Sequence, residues 1–190
     1  MKTDYQTRLD QFNKALRLES PDRVLVGPSS DHFFSTKLAD ISNKDAMLDH
    51  PQRYAALKDI LLRFDFDIAL QSGVYPAQWY SILGAKHYKW PGGGLPDDMA
   101  FQFVEKEYLL ADEYDQFLAN PNDFTMRVLW PRMTAGLEPL ADMAPFYAIG
   151  PDPIFLGSAF AYEEQLQVLE TLKKLAEASQ ASMGAEADYF

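Results

Sequence analysis

Apolar residues recur every three or four positions at Tyr5, Leu9, Phe12 and Leu16, with charges between them. That spacing predicts an amphipathic helix, which Ser20-Pro21 brings to a stop. The next run, Arg23-Val-Leu-Val-Gly27, is nearly continuous and apolar and ends in breakers at Gly27-Pro28. It reads as a short strand buried on both faces. Residues 29–50 show little periodicity and read as a long connection. Pro51 suits a first helical turn, with Asp49 or His50 as its cap. Tyr54, Leu57, Leu61 and Phe64 then predict a helix that ends near Phe64, and Phe66–Leu70 a second strand. The order helix, strand, loop, helix, strand is that of a βαβ unit with parallel pairing.

The middle of the chain has a different pattern. His87–Trp90 and Phe101–Val104 predict the two arms of a β-hairpin around Pro91-Gly-Gly-Gly-Leu-Pro96. Ala111–Asn120 predicts a short acidic helix with Tyr114, Phe117 and Leu118 inward, and Phe124–Met133 a further helical piece. Glycines and prolines break up residues 134–158. The last element, from Tyr162 to about Ala178, predicts a long helix lined on one face by Tyr162, Leu166, Leu169, Leu172 and Leu175 or Ala176.

Composition narrows the chemistry. The 190 residues are 47% hydrophobic and 14% aromatic, enough for a packed core and too much for wholesale disorder. With no cysteine, disulfides, zinc–thiolate sites, iron–sulfur clusters and cysteine nucleophiles are excluded within this chain. Residues 1–90 carry 12 Lys/Arg against 11 Asp/Glu, whereas residues 91–190 carry 5 against 17. A second half at −12 argues against duplex DNA or an anionic membrane as partner. The N-terminus lacks the apolar core of a signal peptide and no run spans a membrane. We expect a cytoplasmic protein.

Three segments carry a resemblance. RLDQFNKALRLESPDRVLVGP resembles the opening of the uroporphyrinogen decarboxylase superfamily: a helix, a PDR entry and a first barrel strand. DHPQRYAALKDILLRFDFDIAL resembles its next helix and second strand, and FQFVEKEYLLADEYDQFLANPNDF a stretch of its bacterial branch. That branch includes the cobalamin-dependent methyltransferases. The resemblance implies an α/β chain, residues 1–190 as one domain. It would be a partial (β/α)8 TIM-barrel-like fold: the N-terminal half, with an inserted hairpin and a long C-terminal helix. A barrel typically needs about 250 residues and places its site at the C-terminal ends of the strands.

The candidate site residues therefore follow the two strands. Asp31 and His32 lie past the first, as a proton relay or a substrate or metal contact. Gln71, Ser72 and Tyr75 follow the second, as neutral donors for a cofactor or methoxy-type substrate. Trp79 belongs to an aromatic group with Tyr80, His87, Tyr88 and Trp90, read either as a wall for a ring or cation or as a small satellite core. No catalytic residue and no metal ligand is assigned. Porphyrin decarboxylases carry an arginine motif where this chain reads Gly27–Phe33, and an aspartate where it has Gly73. Both departures, with the acidic second half, count against a substrate bearing many carboxylates.

The resemblance thus implies corrinoid-linked methyl transfer, with corrinoid and zinc as cofactors and a small molecule or corrinoid protein as substrate. Porphyrin decarboxylation is the alternative. The methyltransferase zinc site draws on Cys and on later strands, so the chain is expected to be incomplete as a catalyst alone. A non-catalytic module is the third reading, one that dimerises or complements a second chain to cover exposed strand edges. The triple glycine lacks the spacing of a phosphate loop, the acidic run Glu105–Asp115 lacks that of an EF-hand, and Ser29, Ser30 and Ser72 lack a nucleophile elbow.

Overall fold

A computed structural model describes residues 4–27, 32–68 and 76–188, with the side chains of residues 32 and 33 left aside. The chain is mostly helical, with one small sheet. Eleven α-helices can be numbered in the described residues: α1 Asp4–Leu16, α2 His32–Leu38, α3 Asn43–Leu48, α4 His50–Phe64, α5 Ala77–Leu83, α6 Tyr114–Ala119, α7 Pro121–Phe124, α8 Trp130–Met133, α9 Phe146–Ile149, α10 Leu156–Ala159 and α11 Glu163–Ala187. The strands are β1 Tyr88–Pro91, β2 Gly94–Leu95 and β3 Gln102–Phe103. No helix is long and apolar enough to cross a membrane, among the described residues.

The expected hairpin is present. β1 and β3 pair antiparallel, with Tyr88 opposite Phe103 and Lys89 opposite Gln102, and β2 folds back on β1. The triple glycine makes a tight turn under an indole. Gly92 and Gly94 have φ of +78° and +97°, values glycine adopts freely. A Cβ on Gly93 would lie 2.1 Å from the Trp90 ring.

The two strands expected at 23–27 and 66–70 are not assigned as strands within the described residues. A TIM barrel is not shown. The segments do lie side by side: the Asp67 N–H donates to the Val26 carbonyl at 2.9 Å. Side chains share in the contact at Val26. The Asp67 carboxylate accepts from the Val26 N–H at 2.9 Å and from Arg23 at 2.6 Å, so the backbone donor of Val26 answers a side chain and not a neighbouring strand.

The stretch read as a long connection holds two short helices. Ser42 caps α3, accepting from the Asp45 N–H at 3.0 Å. Asp49 ends α3 and caps α4, accepting from Gln52 at 2.9 Å.

Two small cores hold the rest. Met47, Ala77 and Tyr80 form one, against Tyr88 and Trp90. Leu137, Leu140, Met143 and Val168 form the other, against Leu83, Met126 and Phe160. α11 runs past α4, α5 and the 3₁₀ segment Ala135–Asp142, burying Gln165, Val168, Ala178 and Ser182.

Several stripes expected to face inward do not. Tyr162, which precedes α11, and Leu166, Leu169 and Leu172 on it are exposed, because the face one position round the helix meets the core. Tyr114 and Leu118 of α6 are exposed, whereas Phe117 packs against the buried Phe124 at 5.8 Å. In α1 no residue is buried. The helix is held by polar bonds: Arg8 to Asp65 and to the Phe66 carbonyl, both at 2.5 Å, and Gln11 and Lys14 to Asp22. The chain exposes 12375 Å² for 21.6 kDa, about a third more than the roughly 9,000 Å² of a compact monomer of that mass.

Candidate functional site

Of the six residues singled out by position after a strand or in the aromatic group, Asp31, Gln71, Ser72 and Tyr75 lie outside the described residues. His32 is the first residue of α2. Trp79 sits half-buried on α5, one residue from the buried Tyr80, with its backbone N–H donated to the Pro76 carbonyl at 2.9 Å.

The aromatic group is a core, packed against itself. Tyr80 meets Tyr88 at 4.9 Å and stacks on Trp90 at 5.3 Å. Tyr88 in turn meets Phe101 and Phe103. Tilted and edge-on arrangements of this kind are the favourable ones for rings. Trp90 also rests on Gly93, so its indole is occupied by the protein. His87 is tied down as well: its Nδ1 lies 2.9 Å from the Met133 carbonyl. The Lys86 N–H donates to the same oxygen at 2.8 Å, stitching the start of the hairpin to the end of α8.

Three charged clusters organise the surface. At the junction of the first and fourth helices, the Asp67 carboxylate is only 2% exposed and faces Arg23, with Arg8 4.0 Å away. Hydrogen bonds from Arg23, then from the Val26 N–H, hold its carboxyl below the ordinary range. In the second cluster Arg132 grips Glu113 in a two-pronged pair at 2.7 and 2.5 Å and also donates to the Tyr108 carbonyl. Arg132, then the Leu110 N–H, pulls Glu113 down to about 2. In the third, Arg127 holds Asp123 in the same way at 2.8 and 2.6 Å and depresses it. The first two clusters join segments far apart in the sequence, and the third ties Asp123 to Arg127 one turn further on.

His50 is different. It begins α4 half-buried, its Nδ1 is buried with no hydrogen-bond partner among the described residues, and burial, then Arg53, lowers its pKa. The cap role weighed for His50 falls to Asp49.

A zinc centre does not fit the described residues. The chain has no cysteine, and no group of three or more His, Asp or Glu among the described residues could hold a metal ion. Sequence reasoning missed the Arg8–Asp67–Arg23 cluster, whose signal was present in the paired PDR and DFD turns. No protein-family model, curated protein or solved structure matches the chain.

Proposed function

We propose that this chain is a uroporphyrinogen decarboxylase-superfamily polypeptide of the corrinoid-linked methyltransferase type. In this reading it forms part of a (β/α)8 barrel in the cytoplasm and is incomplete as a catalyst alone. A second polypeptide, a copy of itself or a chain bearing further barrel strands, covers its apolar faces. The observation that carries the reading is the exposure of whole apolar stripes: Tyr5, Leu9 and Leu16 on α1, Val24 and Val26 beside it, and Leu166, Leu169 and Leu172 on α11. Soluble monomers rarely leave contiguous apolar stripes uncovered. The excess surface is ample for a standard interface, which takes about 800 Å² from each partner. The adjacency of residues 23–27 and 66–68 supports the barrel part of the reading, since a βαβ unit brings those segments together.

The zinc-activated thiolate that methyl transfer requires would have to come from a group outside this sequence, such as a covering chain with further barrel strands, because neither this chain nor a copy of it carries a cysteine. Porphyrin decarboxylation is the weaker alternative, as the acidic second half repels a polycarboxylate. A purely structural assembly module is the second reading, favoured by the same exposed stripes. Titration with cobalamin, followed by its visible absorbance, separates the two. Saturable binding by the assembled protein supports the methyltransferase reading, and its absence at high micromolar ligand supports the module.

A further inference from the structure

Helix α1 sits inside out. Its polar face binds the rest of the chain: Arg8 reaches Asp65 and the Phe66 carbonyl, while Gln11 and Lys14 hold Asp22 at 2.9 and 3.0 Å. An amphipathic surface helix ordinarily turns its apolar stripe to the core. Here Tyr5, Leu9 and Leu16 are exposed and no residue of the helix is buried. Leu18, just past the helix, is also exposed, in a left-handed conformation with φ of +61°.

The exposed stripe of α11 is its counterpart: Tyr162 just before the helix, then Leu166, Leu169 and Leu172. At about 1.5 Å per residue, Tyr5 to Leu16 spans about 16 Å and Tyr162 to Leu172 about 15 Å. The apolar positions also share a register. With the helices antiparallel, Leu16 falls opposite Tyr162, Phe12 opposite Leu166, Leu9 opposite Leu169 and Tyr5 opposite Leu172.

Charge selects that orientation. Asp4 precedes Tyr5 and Arg17 follows Leu16, whereas Glu163 and Glu164 follow Tyr162 and Lys173 and Lys174 follow Leu172. Antiparallel helices bring Arg17 to the glutamates and Asp4 to the lysines, and their dipoles oppose. Parallel helices would set like charges together at both ends. Arg17, Glu163 and Lys173 enter no salt bridge among the described residues. Pairing α11 with α11, or α1 with α1, leaves the other stripe bare. Exchange of α1 between two copies covers both stripes and closes the assembly. Each copy then contributes two stripes towards the about 800 Å² per partner of a standard interface.

We propose that a second copy of this chain covers both stripes, the α1 of each copy lying antiparallel on the α11 of the other about a two-fold axis. This arrangement rests on the reading that a second polypeptide covers the stripes, and not on methyl-transfer chemistry.

The chain has no cysteine, so introduced thiols report contacts without background. Full-length chain carrying Leu9→Cys is mixed with chain carrying Leu169→Cys and gently oxidised. A disulfide-linked species of twice 21.6 kDa should form in at least about tenfold excess over either variant alone, because only facing thiols can join. Leu16→Cys mixed with Leu172→Cys, at opposite ends of the antiparallel arrangement, should not link. Arg17→Glu should raise the dissociation constant of the dimer about fivefold or more, and Glu163→Lys added to it should restore the wild-type value. All these positions are exposed, so circular dichroism and melting should match the wild type. A dimer without the Leu9–Leu169 linkage, self-linking of Leu169→Cys at the mixed yield, or a dissociation constant unmoved by Arg17→Glu would overturn the proposal and leave a covering polypeptide in place. A wild-type chain that stays a monomer at every concentration would overturn both.

Discussion

The Asp67 carboxylate accepts from the Arg23 guanidinium at 2.6 Å and from the Val26 N–H at 2.9 Å, linking residues more than forty positions apart in the chain. This one side chain fastens the segment after α1 to the segment after α4. Asp67→Ala should loosen both. We expect a melting temperature lower by a few degrees and markedly faster amide hydrogen exchange at Val26 and Asp67, with exchange at Val168 in the distant core unchanged. Unaltered exchange at Val26 would show that the backbone contact holds the two segments without the carboxylate.

Acid should weaken the fold through the carboxylates that arginines hold. Glu113 is drawn from an ordinary 4.5 to about 2 by Arg132, and Asp67 and Asp123 are lowered in the same sense. A carboxyl depressed in the folded state stabilises it fully above its unfolded pKa. That contribution is lost as the pH falls through the folded value. Stability should therefore decline from about pH 4.5 down towards pH 2. Glu113→Gln should melt lower than the wild type at pH 6, with the gap closing as the pH approaches the lower limit. A gap independent of pH would assign the loss to packing.

Phe124 and Leu118 make a paired test of which face of α6 and α7 is inward. Phe124 is 1% exposed and meets Phe117, whereas Leu118 is 69% exposed. Phe124→Ala should cost about 3–5 kcal/mol in denaturant unfolding. Leu118→Ala should stay within about 0.5 kcal/mol. Comparable losses at both positions would mean that Leu118 is covered.

Gly93→Ala tests the aromatic core of the hairpin. The added methyl would collide with the Trp90 ring, which stacks on Tyr80. The variant should melt lower and shift its tryptophan fluorescence to the red as the indole is displaced towards water. An unchanged emission spectrum would mean that the turn is loose.

Helical periodicity in the sequence was enough to locate α1, α4 and the start of α11, and alternation with breakers was enough for the hairpin. Periodicity shows that a helix has an apolar stripe but says nothing of what meets it. The leucines of α11 and the whole of α1 therefore read as core although Val168 and Gln165 face inward in their place. α3 escaped because it is short and its signal is local: Ser42 capping at Asp45, a turn-level cue among residues without periodic apolar positions. The strand at 23–27 was expected from a continuous apolar run, but such a run cannot reveal that Asp67 occupies the donor of Val26.

Exposed apolar stripes covered by a second polypeptide are the centre of the functional reading, and the mass of the full chain in solution tests it most directly. Light scattering during size exclusion, across the micromolar range, should give masses above 21.6 kDa that rise with concentration. Leu169→Lys, which places a charge in the middle of the α11 stripe, should return the chain to 21.6 kDa with its helical circular dichroism intact. A wild-type chain that remains a monodisperse 21.6 kDa monomer at every concentration, and melts cooperatively, would contradict the reading.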